Sequence, residues 1–230
     1  GAITGGEVLC LTTNGLALPL MAKHLREAGV DRLNVSLDTL RPDRYAYITR
    51  GGCLEDVFQG LKAAAEAGFT GTKLNVVLMK DFNDDEIPDF LELSRRCSIE
   101  VRFIELMPIG EGSHARFLPA ETVLEIAPGL LPVEGSGVAR RYRFPGGRET
   151  VGLIAPMSRR FCAQCDRIRV TADGRLKPCL HSDQEIPLRG LHGEALRRTI
   201  REGVSAKPER HHMDKTGRSE AGRNMHQIGG

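Results

Sequence analysis

The chain has 230 residues, of which 40% are hydrophobic and 27% charged, enough apolar sequence for one large or two small packed domains and too much for global disorder. Its net charge is +2, from 32 basic and 30 acidic residues, so no overall field attracts nucleic acid or a membrane, and anion binding must be local. The sequence shows neither a membrane-length apolar run nor the dense cysteine spacing of a disulfide framework, so we expect a cytoplasmic protein with reduced thiols.

The first half of the chain alternates strand-like and helix-like segments, and glycines stop the first two helices. Strand–helix–strand repeats at this spacing predict parallel strands with right-handed crossovers, the α/β class. The periodicity does not distinguish part of a barrel from an open sheet. Strands are expected at 8–11, 32–37, 73–79 and 101–106, and helices near 18–28, 55–67 and 87–94.

In parallel α/β folds, chemistry collects at the carboxyl ends of the strands. Polar or otherwise notable residues are expected there after three of the four strands, although polar side chains at strand ends are also what turns require. These residues are Thr12, Thr13, Asn14, Ser36, Asp38, Glu105 and Met107.

After Pro108 the chain becomes rich in glycine and proline turns. We interpret residues 108–230 as a separate, irregular region that follows a first domain over residues 1–107. Within it the pattern predicts one short helix at 121–126, strands at 140–144 and 150–154, and a late helix around Ile200. From about Ala206 the tail is polar, and composition alone predicts disorder.

Three cysteines in the run FCAQCDRIRVTADGRLKPCL are the most informative feature. Cys162 and Cys165 have the spacing that grips one metal from a single turn, and a turn signal midway folds Cys179 back onto them. Arg167 and Arg169 alternate directly afterwards, so on an extended segment both point the same way. Thiolate ligands beside two cations predict a metal site for an anionic substrate.

Two metals fit this trio. Zinc needs a fourth ligand, which His181 is placed to supply. A 4Fe–4S cluster uses the three thiols alone and leaves one iron open, and the paired arginines favour this reading, with His181 outside the ligand set. The scattered Cys10, Cys53 and Cys97 are expected to be buried thiols that act as small hydrophobes.

Six segments in order resemble the GTP 3′,8-cyclases, the molybdenum-cofactor biosynthesis protein A family of radical S-adenosylmethionine enzymes. They are LTTNG, LNVSLDTL, KLNVVLMKDFNDDEI, EVRFIELMPIG, the cysteine run and the terminal Gly229-Gly230, and they span almost the whole chain. The resemblance implies the carboxyl-terminal part of an incomplete (β/α) barrel and a smaller, irregular cluster-binding domain. It also implies the S-adenosylmethionine-dependent cyclisation of GTP that begins molybdopterin synthesis.

The resemblance also implies roles for single residues. Cys162, Cys165 and Cys179 would hold a 4Fe–4S cluster that meets the guanine ring, while Gly229 and Gly230 would form a tail inserted into the active site. GTP would contact Thr12, Lys73, Arg167, Ile168 and Arg169. S-adenosylmethionine would contact Ser36 and Met107. Lys73 begins its predicted strand, so reasoning from the residues alone does not select it.

The family's other cluster is held by a CxxxCxxC run, which these 230 residues do not contain. We therefore expect the second 4Fe–4S cluster only in a complete protein, and expect this chain to be a fragment that does not turn over alone. Implied partners are the accessory protein of cyclic pyranopterin monophosphate synthase, by product transfer, and a second copy in a homodimer. The alternative is a zinc-stabilised nucleotide- or RNA-binding module, disfavoured by few aromatics and near-zero net charge.

Overall fold

The computed structural model describes residues 8–97, 99–109, 116–135, 137–159, 161–210 and 219–228. Contacts divide the chain into two compact units, each of which uses two stretches of sequence. The first comprises Gly1–Glu105 and Leu118–Ser158, and the second comprises Leu106–Phe117 and Arg159–Gly230. The division into domains 1–107 and 108–230 stays a prediction.

Ten strands and six α-helices are seen in the described residues. The strands are β1 (Cys10–Thr13), β2 (Arg32–Ser36), β3 (Lys73–Leu78), β4 (Glu100–Glu105), β5 (Leu131–Val133), β6 (Arg140–Arg143), β7 (Thr150–Ile154), β8 (Arg169–Val170), β9 (Arg175–Lys177) and β10 (Ile186–Pro187). The helices are α1 (Leu18–Glu27), α2 (Pro42–Thr49), α3 (Leu54–Glu66), α4 (Ile87–Cys97), α5 (Thr122–Ile126) and α6 (Gly193–Ser205).

The first unit is built on a seven-stranded sheet with the order β1-β2-β3-β4-β7-β6-β5. Strands β1 to β4 and β7 run parallel, and β6 and β5 add an antiparallel edge. The predicted α/β class and parallel first strands are confirmed. The strands expected at 140–144 and 150–154 were predicted to lie in a region separate from the first four strands. This is wrong, because β7 pairs with β4 and extends the same sheet.

The two faces of this sheet differ in chemistry because side chains alternate along each strand. One face carries residues such as Leu33, Leu74 and Phe103, each 0% exposed, which join the helices in the hydrophobic core. The opposite face carries half-buried polar residues such as Lys73 and Arg102. An apolar face under helices and a polar open face are what one part of a (β/α) barrel presents.

Glycines fix the helix ends and one close helix contact. Gly29 and Gly68 follow α1 and α3 with φ of 92° and 82°, which ends each helix as predicted. Gly60 lets α3 approach the turn before α1, because a Cβ there would lie 2.2 Å from the carbonyl oxygen of Gly15.

Three details of the first half differ from the expectation. Helix α2 was not predicted, because only Tyr45 of its residues is fully buried and no apolar stripe marks it. Strand β1 is exposed or half-buried rather than buried. The isolated cysteines Cys10, Cys53 and Cys97 are all exposed, so the prediction of buried hydrophobic thiols is wrong.

The second unit contains a three-stranded antiparallel sheet in the order β10-β9-β8, which packs against helix α6. Leu176 is 0% exposed at its centre, and Gly203 of α6 lies so close that a Cβ would meet the Leu176 side chain at 2.6 Å. In the part of the chain that the structure describes, no helix has the length and apolar character needed to span a membrane.

Candidate functional site

The cysteine segment is folded so that its three thiols come from adjacent pieces of one unit. Cys162 starts a single 3-10 turn, Cys165 follows it, and the Cys165 amide donates to the Cys162 carbonyl at 3.1 Å. Strands β8 and β9 form a hairpin in which Arg169 pairs with Lys177. The turn predicted between Cys165 and Cys179 is therefore present as the β8–β9 hairpin, while the return of Cys179 onto Cys162 and Cys165 stays a prediction.

The three thiols are free and half-buried. Within the described residues, no three His, Cys, Asp or Glu side chains are grouped closely enough to hold a metal ion. The assignment of a metal to this trio therefore stays a prediction, although three thiols without carboxylates are the donor set that iron–sulfur clusters use.

Arg169 interacts electrostatically with two of these thiols. Burial and the neighbouring Arg167 lower the pKa of its guanidinium, while Cys165 and Cys179 act in the opposite direction. Its Nε is buried and lacks a hydrogen-bond partner among the described residues. A buried cationic donor without an acceptor is costly, so the position fits an anionic ligand that is bound there. Arg167 and Ile168 are exposed beside it.

His181, the candidate fourth zinc ligand, is buried at 8% exposure. Its Nδ1 lies 3.4 Å from the hydroxyl of Ser219. Ser219 in turn donates its amide to the carbonyl of Pro108 at 3.2 Å. The imidazole therefore takes part in fastening segment 219–228, a structural role that the sequence pattern does not reveal.

In the first unit, the two predicted GTP residues lie in one row across the sheet. Thr12 is in register with Asn34, and Asn34 is in register with Lys73. The row continues to Glu100, whose Oε1 lies 4.0 Å from Lys73 Nζ. All four residues of this row belong to the polar face of the sheet. Thr12 lies within β1 rather than after it, which corrects the expectation that it follows the strand.

A cleft of about 1200 Å³ opens at the amino ends of β2, β3 and β4. Its charged lining has six cations and three carboxylates: Arg26, Arg32, Lys73, Arg102, Arg141, Arg148, Asp31, Glu100 and Glu149. The pKa of Lys73 is lowered, mainly by burial and then by the positive charge of Arg102, while Glu100 raises it. Arg141 Nε, within the described part of the chain, is buried without a partner. Arg102 and Arg141 each pair with Glu100, at 2.7 Å and 2.9 Å, but the lining still has more cations than carboxylates, so the cleft suits an anion.

Sequence reasoning missed Arg32, Arg102 and Arg141. Arg102 could have been predicted, because the strict alternation in EVRFIE places it on the same face of the strand as Glu100. Arg141 was not accessible to that argument, since its strand was predicted to belong to the separate region after Pro108.

The predicted S-adenosylmethionine residues lie at or just after the carboxyl ends of parallel strands. Ser36 is the exposed last residue of β2, and Met107 is half-buried two residues after β4. Two residues after Ser36, Asp38 accepts a hydrogen bond from the Val77 amide at 2.8 Å, and burial raises its pKa to about 6. Asn83 donates to the Asp38 carbonyl at 2.6 Å and so ties the β2 loop to the β3 loop. Gly229 and Gly230 lie outside the described residues.

Two family comparisons match different parts of the chain. Residues 2–94 match the Radical SAM superfamily, and residues 99–213 match the family described as Molybdenum Cofactor Synthesis C. The chain is thus a radical S-adenosylmethionine protein of molybdenum cofactor biosynthesis. Enzymes of that superfamily use a 4Fe–4S cluster and S-adenosylmethionine.

Individual relatives define the family further. The GTP 3′,8-cyclase of Alkaliphilus oremlandii (strain OhILAs) is 44% identical over 236 residues, which cover 99% of this chain and 74% of that protein. The GTP 3′,8-cyclase of Moorella thermoacetica (strain ATCC 39073 / JCM 9320) is 47% identical over 242 residues, covering 100% of this chain and 74% of that protein. This chain belongs to the GTP 3′,8-cyclase family and is an enzyme of the lyase type.

A solved structure of TYW1 with a lysine-pyruvate adduct bound also matches. It is 19% identical, with a TM-score of 0.40, and the match covers 57% of this chain and 44% of that one.

Proposed function

We propose that this protein carries out the S-adenosylmethionine-dependent cyclisation of GTP to (8S)-3′,8-cyclo-7,8-dihydroguanosine 5′-triphosphate, the first step of molybdenum cofactor biosynthesis. The observation that carries the proposal is Arg169, whose buried Nε has no partner in the described residues and whose guanidinium interacts electrostatically with Cys165 and Cys179. A site that combines thiols with an unsatisfied cation suits a ligand that has both metal-binding and anionic parts.

In this proposal Cys162, Cys165 and Cys179 hold a 4Fe–4S cluster. When bound by three thiolates, such a cluster offers one open iron to an atom of the substrate base. Arg167 and Arg169 bind and orient the anionic part of GTP through charge-assisted hydrogen bonds, which a planar guanidinium makes in pairs. Ile168 separates the two arginines along the chain.

On the sheet of the first unit, Thr12 and Lys73 supply a hydroxyl and an ammonium from one row, two strands apart. The lowered pKa of Lys73 comes mainly from burial, which means that its charge is poorly solvated and gains from an anionic partner. Arg102 and Arg141 extend this positive surface. Ser36 and Met107 are proposed to contact S-adenosylmethionine, and Gly229-Gly230 to form the active-site tail.

The 230 residues contain no CxxxCxxC run, so we propose that they do not cleave S-adenosylmethionine by themselves. Binding is therefore a sharper readout for this chain than turnover. A cytoplasmic location, homodimer formation and delivery of product to the accessory protein of cyclic pyranopterin monophosphate synthase complete the proposal.

The experiment is anaerobic reconstitution of the chain with iron and sulfide, followed by electron paramagnetic resonance of the reduced protein with and without nucleotide. We expect GTP to change the spectrum and ATP to leave it unchanged, because the proposal assigns the contact with the open iron to a guanine base. A reconstituted iron–sulfur spectrum that GTP does not alter would contradict the proposed function.

A further inference from the structure

Lys207 contacts the cysteine segment at three points. It follows helix α6, and its Nζ donates to the carbonyl of Cys165 at 2.5 Å and to the carbonyl of Arg167 at 2.7 Å. The same Nζ lies 3.3 Å from the Cys165 sulfur. A lysine ammonium has three donors, and these contacts use all of them.

The position of Lys207 is set by packing and not by a flexible tail. Helix α6 packs on strand β9, and the absence of a side chain at Gly203 allows the close approach to Leu176. The Lys207 amide then donates to the carbonyl of Val204 at 3.2 Å, which continues the last turn of the helix. The ammonium is therefore delivered to the loop by the same core that supports the β8–β9 hairpin.

The two carbonyl contacts bracket residue 166. Fixing the carbonyls of Cys165 and Arg167 restricts the backbone that carries one thiol and one arginine, and so sets the direction of both side chains. The third contact places a positive charge on a ligand sulfur. Hydrogen bonds and positive charge at cluster sulfurs stabilise the more negative, reduced state and raise the reduction potential.

We propose that Lys207 is a positioning residue for the cysteine segment, which fixes the loop from Cys165 to Arg167 and raises the reduction potential of an iron–sulfur centre bound through Cys165. The inference rests on the proposed function, because it takes Cys165 as a cluster ligand. It adds a residue outside the cysteine–arginine run that governs both the redox property and the anion-binding geometry of that run.

The test compares the reconstituted 230-residue chain with Lys207→Met, Lys207→Arg and the exposed control Lys23→Met, whose side chain is 83% exposed. The midpoint potential is measured by anaerobic dye-mediated titration, followed by electron paramagnetic resonance. We expect a lower midpoint in Lys207→Met, and values close to the unmodified chain in Lys207→Arg and Lys23→Met. We also expect Lys207→Met to weaken GTP binding by roughly threefold or more, because the arginine backbone loses a charged hydrogen bond.

An unchanged midpoint in a folded Lys207→Met chain, or an equal shift in Lys207→Arg, would overturn the inference. Lys207→Gln, which keeps polar donors but no charge, gives the same comparison if the methionine variant loses its helical circular dichroism. A Cys165→Ser chain that keeps the original iron content and midpoint would overturn the ligand assignment, and the inference with it.

Discussion

Replacing Arg169 separates ligand binding from folding. Its Nε is buried and unpartnered in the described part of the chain, and burial lowers the pKa of its guanidinium. The side chain therefore contributes little net stability in the free protein, because an unsatisfied buried polar group costs about 1–3 kcal/mol. We expect Arg169→Ala to leave the free energy of unfolding nearly unchanged.

The same substitution should weaken GTP binding strongly. Loss of a hydrogen bond to a charged group costs about 1.5–3 kcal/mol, which corresponds to roughly one to two decades in dissociation constant. Arg169→Lys should recover only part of this loss, since an ammonium lacks the planar fork that pairs with phosphate oxygens.

The assay is anaerobic isothermal titration calorimetry of the reconstituted chain with GTP and with guanosine. Arg198→Ala is the matched control, because Arg198 lies on α6 with its side chain 71% exposed and pairs with Glu202 at 3.9 Å. An Arg169→Ala chain that binds GTP within twofold of the unmodified protein would refute the reasoning. Equal affinity for GTP and guanosine in the unmodified chain would refute the phosphate contact.

Two further predictions concern the loops that support Ser36. Glu86 is 0% exposed and accepts hydrogen bonds from Thr39, Leu40 and Arg44. In urea denaturation, Glu86→Ala should lower the free energy of unfolding by about 3 kcal/mol, and Asp85→Ala, at an exposed position, by less than about 1 kcal/mol. Equal losses in the two variants would contradict this. Burial raises the pKa of Asp38 to about 6. The folded state therefore binds the extra proton, and stability should fall by up to ~3 kcal/mol as pH rises from about 4 through 6. Asp38→Asn should lack this fall, and an identical pH profile would exclude Asp38 as its source.

Patterns of alternation and of helix stops allowed most of the first sheet to be predicted. The bounds of β2, β3 and β4 agree with the expected segments to within one residue at each end, because buried and polar side chains alternate strictly there. Helix α2 was missed because it has little apolar surface to bury. Strand β1 was predicted to be buried from its apolar residues, but its position in the structure leaves it exposed or half-buried.

The pairing of β7 with β4 could not be predicted from the sequence. Residues 106–149 separate these strands, and local periodicity carries no information about a partner so distant in the chain. For the candidate site, the β8–β9 hairpin was predictable from the turn signal between its strands. The contact of Lys207 with Cys165 was not, since a lysine forty-two residues away in a polar tail has no local signature.

The measurement that tests the central claim most directly is the iron, acid-labile sulfide and zinc content of the anaerobically reconstituted chain and its cysteine variants. We predict close to four irons and four sulfides per chain, lost when any of Cys162, Cys165 or Cys179 is replaced by serine. The same content should persist when the exposed Cys10, Cys53 and Cys97 are all replaced by serine. One zinc per chain without sulfide, or iron lost with the exposed cysteines instead, would contradict the account.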